Sequence, residues 1–248
     1  MKTIQIKIIY IILLALISPN INAQAVKQSA FTFNYNYQIP IGNLANNFGN
    51  NSSIGTSYFI ELSNNIIIGM EGNFIFGGKI KDVNIFEGIS NESGAIIGAD
   101  GRYANVNLMQ RGFDSYLFAG YALHFLKNNL SGIYITHGLG YLQHKIFIDT
   151  KNQNLPQLNE DMKKGYDRFS NGLSTKTSID YKYYNRKGRF QISLGLNYTM
   201  AYTQNKRVYD FAKNEYYSDR KSWDKLFGCK VEVIIPINKR NEEKFHYY

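Results

Sequence analysis

Residues 189–204, RFQISLGLNYTMAYTQ, alternate almost without a break over sixteen positions. Phe190, Ile192, Leu194, Leu196, Tyr198, Met200 and Tyr202 take the even positions; Gln191, Ser193, Gly195, Asn197, Thr199, Ala201 and Thr203 take the odd ones. A period of two marks an extended strand with one fatty face and one small, polar face. Strands in soluble domains usually run for about five or six residues. A strand this long demands a tall sheet.

Seven further segments carry the same pattern: 30–42, 54–63, 66–77, 113–125, 132–148, 168–184 and 226–237. The connections between the eight fall at 43–53, 64–65, 78–112, 126–131, 149–167, 185–188 and 205–222, long and short in strict alternation. The short ones hold turn residues, such as Asn64-Asn65 and the NRKG of 185–188. The fatty faces include Phe31, Phe33, Tyr35, Tyr37, Phe74, Phe76, Tyr181, Tyr183 and Phe227. That is more bulk than the inside of eight strands can hold. The fatty faces therefore point outward into lipid, and closure removes the sheet edges that hydrocarbon does not tolerate. The sequence predicts an all-β fold: an eight-stranded antiparallel transmembrane barrel of the outer-membrane type, with long extracellular loops and short periplasmic turns. Terminal tyrosines such as Tyr35, Tyr37, Tyr181 and Tyr183 suit the membrane interfaces.

The polar faces place Glu61, Glu71, Asp114, Lys176, Asp180, Lys230 and Glu232 in the lumen. Charges in so narrow a space must be paired, and the expectation is a charge network that plugs the barrel and pins its register.

The chain opens with Lys2 and Lys7, an apolar run at 8–18 and a small residue, Ala23, suited to cleavage. Residues 1–23 read as a signal peptide, 24–237 as the barrel and 238–248 as a periplasmic tail. Cys229 is the single cysteine, so no intramolecular disulfide is available. The net charge of +9 falls to about +7 when Lys2 and Lys7 leave. The basic residues are scattered among acids and form no stripe, which argues against nucleic acid.

The histidines are His124, His137, His144 and His246. His137 and His144, seven apart on one strand, face opposite sides and cannot share a metal; His124 points into the lumen, near an acid such as Asp114. No spacing singles out a nucleophile and base. The expectation is no catalysis, no cofactor and no metal; the mixed-charge loop 149–167 reads as solvated.

Loop 78–112 is long for a segment without structure. It is expected to lengthen the third and fourth strands as a hairpin, or to fold against a neighbour. Its apolar residues, Ile85, Phe86, Ile96, Ile97, Leu108 and Met109, look poorly hidden and point to a protein partner. The tail ends in Phe245, His246, Tyr247 and Tyr248, aromatics that also suit docking.

The stretch KKGYDRFSNG (163–172), the aromatic tail and the YQIPIGNLANNF passage at 37–48 resemble small outer-membrane barrels of the Bacteroidota, PorG-like or OmpA-like. The resemblance implies that Gly165, Tyr166, Asp167, Arg168, Asn171 and Gly172 shape the rim between the third long loop and the sixth strand. It also implies a non-enzymatic accessory subunit of an envelope complex, of the type IX secretion or barrel-assembly kind, in contact with outer-membrane lipid and other envelope proteins. An autonomous OmpA-like or OmpW-like barrel, for envelope integrity or small-molecule uptake, and a lipid-modifying barrel enzyme stay open beside it.

Overall fold

The computed structural model describes residues 26–81, 85–126, 129–151, 153–185, 191–216 and 221–237. Both the signal segment 1–23 and the tail 238–248 lie outside the described residues, as does Phe190.

Eight long strands close into one barrel: β1 (Val26–Gly42), β2 (Asn51–Leu62), β3 (Ile66–Gly77), β4 (Asn107–Leu126), β5 (Asn129–Asp149), β6 (Ser170–Tyr183), β7 (Gln191–Asn205) and β10 (Lys221–Pro236). Each pairs with its neighbour in sequence, and β1 pairs antiparallel with β10 to close the ring. A two-residue hairpin, β8 (Tyr209–Asp210) with β9 (Glu215–Tyr216), sits in the last long connection. The barrel thus has a turn end, which also holds the first and last strand termini, and a loop end, where 43–50, 78–106, 150–169 and 206–220 connect the strands.

The exposed face of the staves is fatty. Phe33, Leu139, Leu194, Ile192, Leu117 and Val231 all present their side chains outward, Leu139 at 65% exposure and Leu194 at 57%. In water this belt would be a barrel-wide apolar patch; in hydrocarbon it is the solvent-facing surface, and each of the eight staves pairs with a neighbour on both sides. From Phe125 to Phe113 the outer face of β4 advances twelve residues. With a rise of about 3.4 Å per residue and a tilt of about 40°, that covers roughly 30 Å, the thickness of a bilayer core. The fold is a transmembrane β-barrel.

Cys229 stands on this outer face, exposed in the middle of β10. In lipid vesicles it is expected to react with an apolar maleimide and to resist a charged methanethiosulfonate. Fast labelling by the charged reagent in intact vesicles would put β10 outside the bilayer.

Two expectations about the loops need correction. The third and fourth strands are not lengthened into a hairpin: β3 stops at Gly77, while β4 and β5 rise together to the pair Asn107↔Asp149. Moreover, Ile85 and Ile96 are buried, and Phe86 and Leu108 pack against them. The loops have built a core of their own above the barrel that hides Ile85 and Ile96, while Ile97 stays exposed.

Candidate functional site

Inside the barrel the side chains form layers. Near the turn end, Ala30, Phe59, Ile67, Ala122, Tyr134, Tyr184 and Ile234 make one apolar cluster, with Phe118 packed against it. At the loop end Ile75, Leu142, Ile146, Ala201 and Leu226 turn inward and meet loop residues Leu44, Phe48, Ile85, Leu155, Leu158 and Tyr166 in a second. Between them lies a charged layer.

That layer gathers Glu71, Asp114, Lys176, Asp180, Lys230 and Glu232 into two groups. The Lys176 ammonium donates to Glu71 Oε1 at 2.8 Å and lies 3.4 Å from Asp114 Oδ1, while the Asn73 amide bridges the two carboxylates. Its charge also rests over the Tyr116 ring, 4.3 Å from the centroid. Lys230 reaches Asp180 at 3.2 Å and Glu232 at 2.9 Å. All six side chains are under one-tenth exposed, where a lone charge would be costly and a paired one is tolerable. Space for them comes from inward glycines: a β-carbon on Gly195 would stand 1.8 Å from Asp180 Oδ1.

Glu61 is apart from these, at the turn end. It accepts from Lys27 at 3.0 Å and meets His124 Nε2 at 2.7 Å, with the Tyr134 hydroxyl at 3.1 Å. His124 does face the lumen, but its acid is Glu61 and not Asp114. Ten residues along one strand separate His124 from Asp114, about 33 Å of rise, whereas Glu61 lies across the barrel wall at the same height.

Lys182 was not among the expected lumen charges. It is buried, with its ammonium 3.8 Å from the Phe59 ring centroid and 4.6 Å from that of Tyr134. Parity could have found it, since it shares a face with Lys176 and Asp180. His144 is buried too, joined to Asp224 at 2.9 Å. His137 faces outward, bonded to Thr177 at 2.9 Å.

The segment 165–172 sits where the loop cap meets the barrel. Gly165 lies against the Phe211 ring, and the Gly165 carbonyl accepts from the Phe211 amide. Tyr166 is buried between Phe86 and Phe211, and burial pushes its hydroxyl pKa up. Asp167 takes two bonds from the Arg207 guanidinium, which hold the Arg207 pKa above its ordinary value. Arg168 adopts a left-handed φ of 48°, donates to Asn47 and pairs with Asp210. Gly172 lies against the Tyr202 carbonyl, and Asn171 faces outward on β6 between Gln143 and Gln204. These residues tie the loops 43–50, 150–169 and 206–220 to one another.

Phe245, His246, Tyr247 and Tyr248 lie outside the described residues. Ile85 is a correction: wholly buried in the cap core, it offers no surface to a partner, whereas Phe86 is half-buried, packed against that core and the Tyr166 ring. Among the described residues, no three His, Cys, Asp or Glu side chains converge as metal ligands would.

Apolar clusters at both ends of the lumen, a paired charged layer between them and a belt of outward apolar side chains define an integral membrane barrel of the outer-membrane type. No family model matches this chain, and no curated protein matches it. Among solved structures it is similar to Ail, the attachment invasion locus protein of Yersinia pestis (10% identity, 85% of this chain and 98% of that chain, TM-score 0.44). Similar too are neisserial surface protein A (10% identity, 85% and 99%, TM-score 0.41) and the N-terminal barrel domain of Pseudomonas aeruginosa OprF (10% identity, 85% and 100%, TM-score 0.37).

Proposed function

We propose that this protein is a non-enzymatic, non-conducting barrel of the outer membrane. In this reading its termini face the periplasm, its loop cap faces outward, and it serves as an accessory subunit of an envelope secretion or assembly complex of the PorG-like kind. The observation that carries the reading is the three-layered filling of the lumen, with apolar clusters above and below a paired charged layer, which supports a barrel that neither conducts nor catalyses inside. What remains to act is the surface. The cap is pre-folded, and it presents Tyr103, Val208 and Tyr216, each more than 70% exposed, on an ordered support. Ordered loops lose less entropy on binding than free ones.

The autonomous reading keeps its place because of the correction above. A long loop that buries its own Ile85 and Ile96 needs no neighbour to hide them.

Two measurements test the proposal. In planar bilayers the folded protein is expected to give no stepwise conductance; regular openings would end the sealed-barrel reading. Extracted from native membranes in mild detergent by a tag on loop 206–220, it is expected to bring envelope proteins in fixed stoichiometry. A monomer that persists through cross-linking would transfer the assignment to an autonomous barrel.

A further inference from the structure

The outer wall carries a like-charge pair. Arg111 on β4 and Lys145 on β5 stand directly opposite each other in register, both on the outward face. Like charges in this position repel. Among the described residues no ion pair joins either one to a carboxylate; Lys145 attracts the exposed Glu160 only at longer range. Arg111 instead donates to the Gln110 carbonyl and to Met109 Sδ, and its guanidinium lies 5.8 Å from the Phe147 ring centroid.

Their height is informative. Arg111 is the next outward residue beyond Phe113, the last apolar residue of the belt on β4. On β5 the exposed Phe147 follows Lys145, so the pair sits at the margin of the apolar belt, at the level where lipid headgroups begin. A hollow of about 420 Å³ opens here, lined by Phe74, Phe113 and Phe169 together with Arg111, Lys145 and Arg207, the last lying over the Phe169 ring. Arg207 is neutralised by Asp167, which leaves the other two cations uncompensated. Below the hollow, the belt is indented along Thr56, Gly72 and Ser115, which stand in one cross-strand row. Bounded by Met70, Leu117 and Leu139, the indentation forms a second hollow of about 530 Å³, lined almost wholly by carbon.

We propose that this wall binds one phosphate-bearing lipid of the surrounding leaflet. The phosphate lies between Arg111 and Lys145, and an acyl chain runs down past Phe113 toward Gly72. The charge pair supplies the attraction and relieves its own repulsion by taking the anion. The three rings favour a lipid over a free anion, since a soluble phosphate has nothing to place against them. The leaflet concerned, and with it lipid A as the probe, rests on the orientation proposed above.

The test is native mass spectrometry of the folded barrel in detergent, titrated with lipid A bearing both phosphates. One lipid is expected to stay bound. R111Q/K145Q is expected to weaken its retention about thirtyfold, the effect of two cations at a membrane surface, and removal of the lipid's phosphates should do the same to the unmodified protein. K213Q, on the exposed turn between β8 and β9, is expected to change nothing. Heat-modifiable gel migration verifies that each variant is folded. Equal retention by R111Q/K145Q, an equal loss in K213Q, or full displacement of the lipid by millimolar inorganic phosphate would each overturn the site. Because the measurement uses isolated protein, its failure would leave the subunit reading untouched, and the reverse also holds.

Discussion

Replacing Lys176 by methionine is expected to destabilise the folded barrel by about 3–5 kcal/mol, the usual effect of stripping one partner from a buried ion group. Lys176 is the only ammonium within 4 Å of Glu71 and Asp114 among the described residues. Without it, two carboxylates face each other through Asn73 in a space closed above and below by apolar side chains. Methionine fills much the same volume, so little of the effect comes from a cavity. Urea titration of the protein folded in lipid vesicles measures the change. The triple variant K176M/E71Q/D114N, which removes all three charges together, is expected to recover most of the loss, because the desolvation of the anions disappears with them. A single-variant effect below about 1 kcal/mol would mean that the lumen admits enough water to screen these charges.

Phe48→Ala should act on the opposite part of the molecule and leave the belt alone. Phe48 is 1% exposed, meets the His144 ring edge-on at 5.3 Å and bridges in extended conformation to Ile80. Its ring anchors the join of loop 43–50 to loop 78–106, where Gly49 donates to the Lys79 carbonyl and Lys81 to the Asn47 carbonyl. Truncating such a side chain costs about 3–5 kcal/mol of local packing, most of which falls on the cap. The expected signature is rapid protease nicking in 78–106 with unchanged heat-modifiable migration of the barrel. If the barrel's own unfolding midpoint drops together with cap protection, cap and staves form one cooperative unit. If neither changes, Phe48 does not hold the cap.

The transmembrane part of this architecture was legible because lipid enforces a simple rule along β7 and β1, fatty outward and polar inward at every second residue. The rule fails above the belt for a physical reason. There the inside of the wall meets the cap, so apolar side chains turn inward as well: Ile146, Ile148 and Leu226 are buried, while outside Lys145 and Lys225 alternate with the exposed Phe147 and Trp223. A strand that crosses this boundary loses its period in the middle, which is why β4 begins at Asn107 and not near 113. At the turn end Phe59 and Ile67 likewise share a parity with Glu61 and Glu71, and alternation alone assigns that face only to polar residues. Parity puts the seven expected lumen charges on one face of their strands but says nothing of their grouping, since Lys176 finds Glu71 and Asp114 across the lumen, from strands far away in the chain. Cap contacts such as Tyr166 with Phe86 and Phe211 leave no periodic trace at all.

Closure of the ring by the first and last strands has a consequence for how the molecule comes into being. β10 supplies Lys230 and Glu232, two of the charges in the interior layer, and also the only partner for the free edge of β1. Until the final stave arrives, Asp180 lacks its ammonium and the first strand has an unsatisfied row of amides and carbonyls, both intolerable in hydrocarbon. A ribosome-fresh polypeptide thus gains nothing by entering the bilayer stave by stave. Commitment must await the C-terminal end, which makes insertion a concerted event whose last signal is also its interior counter-ion.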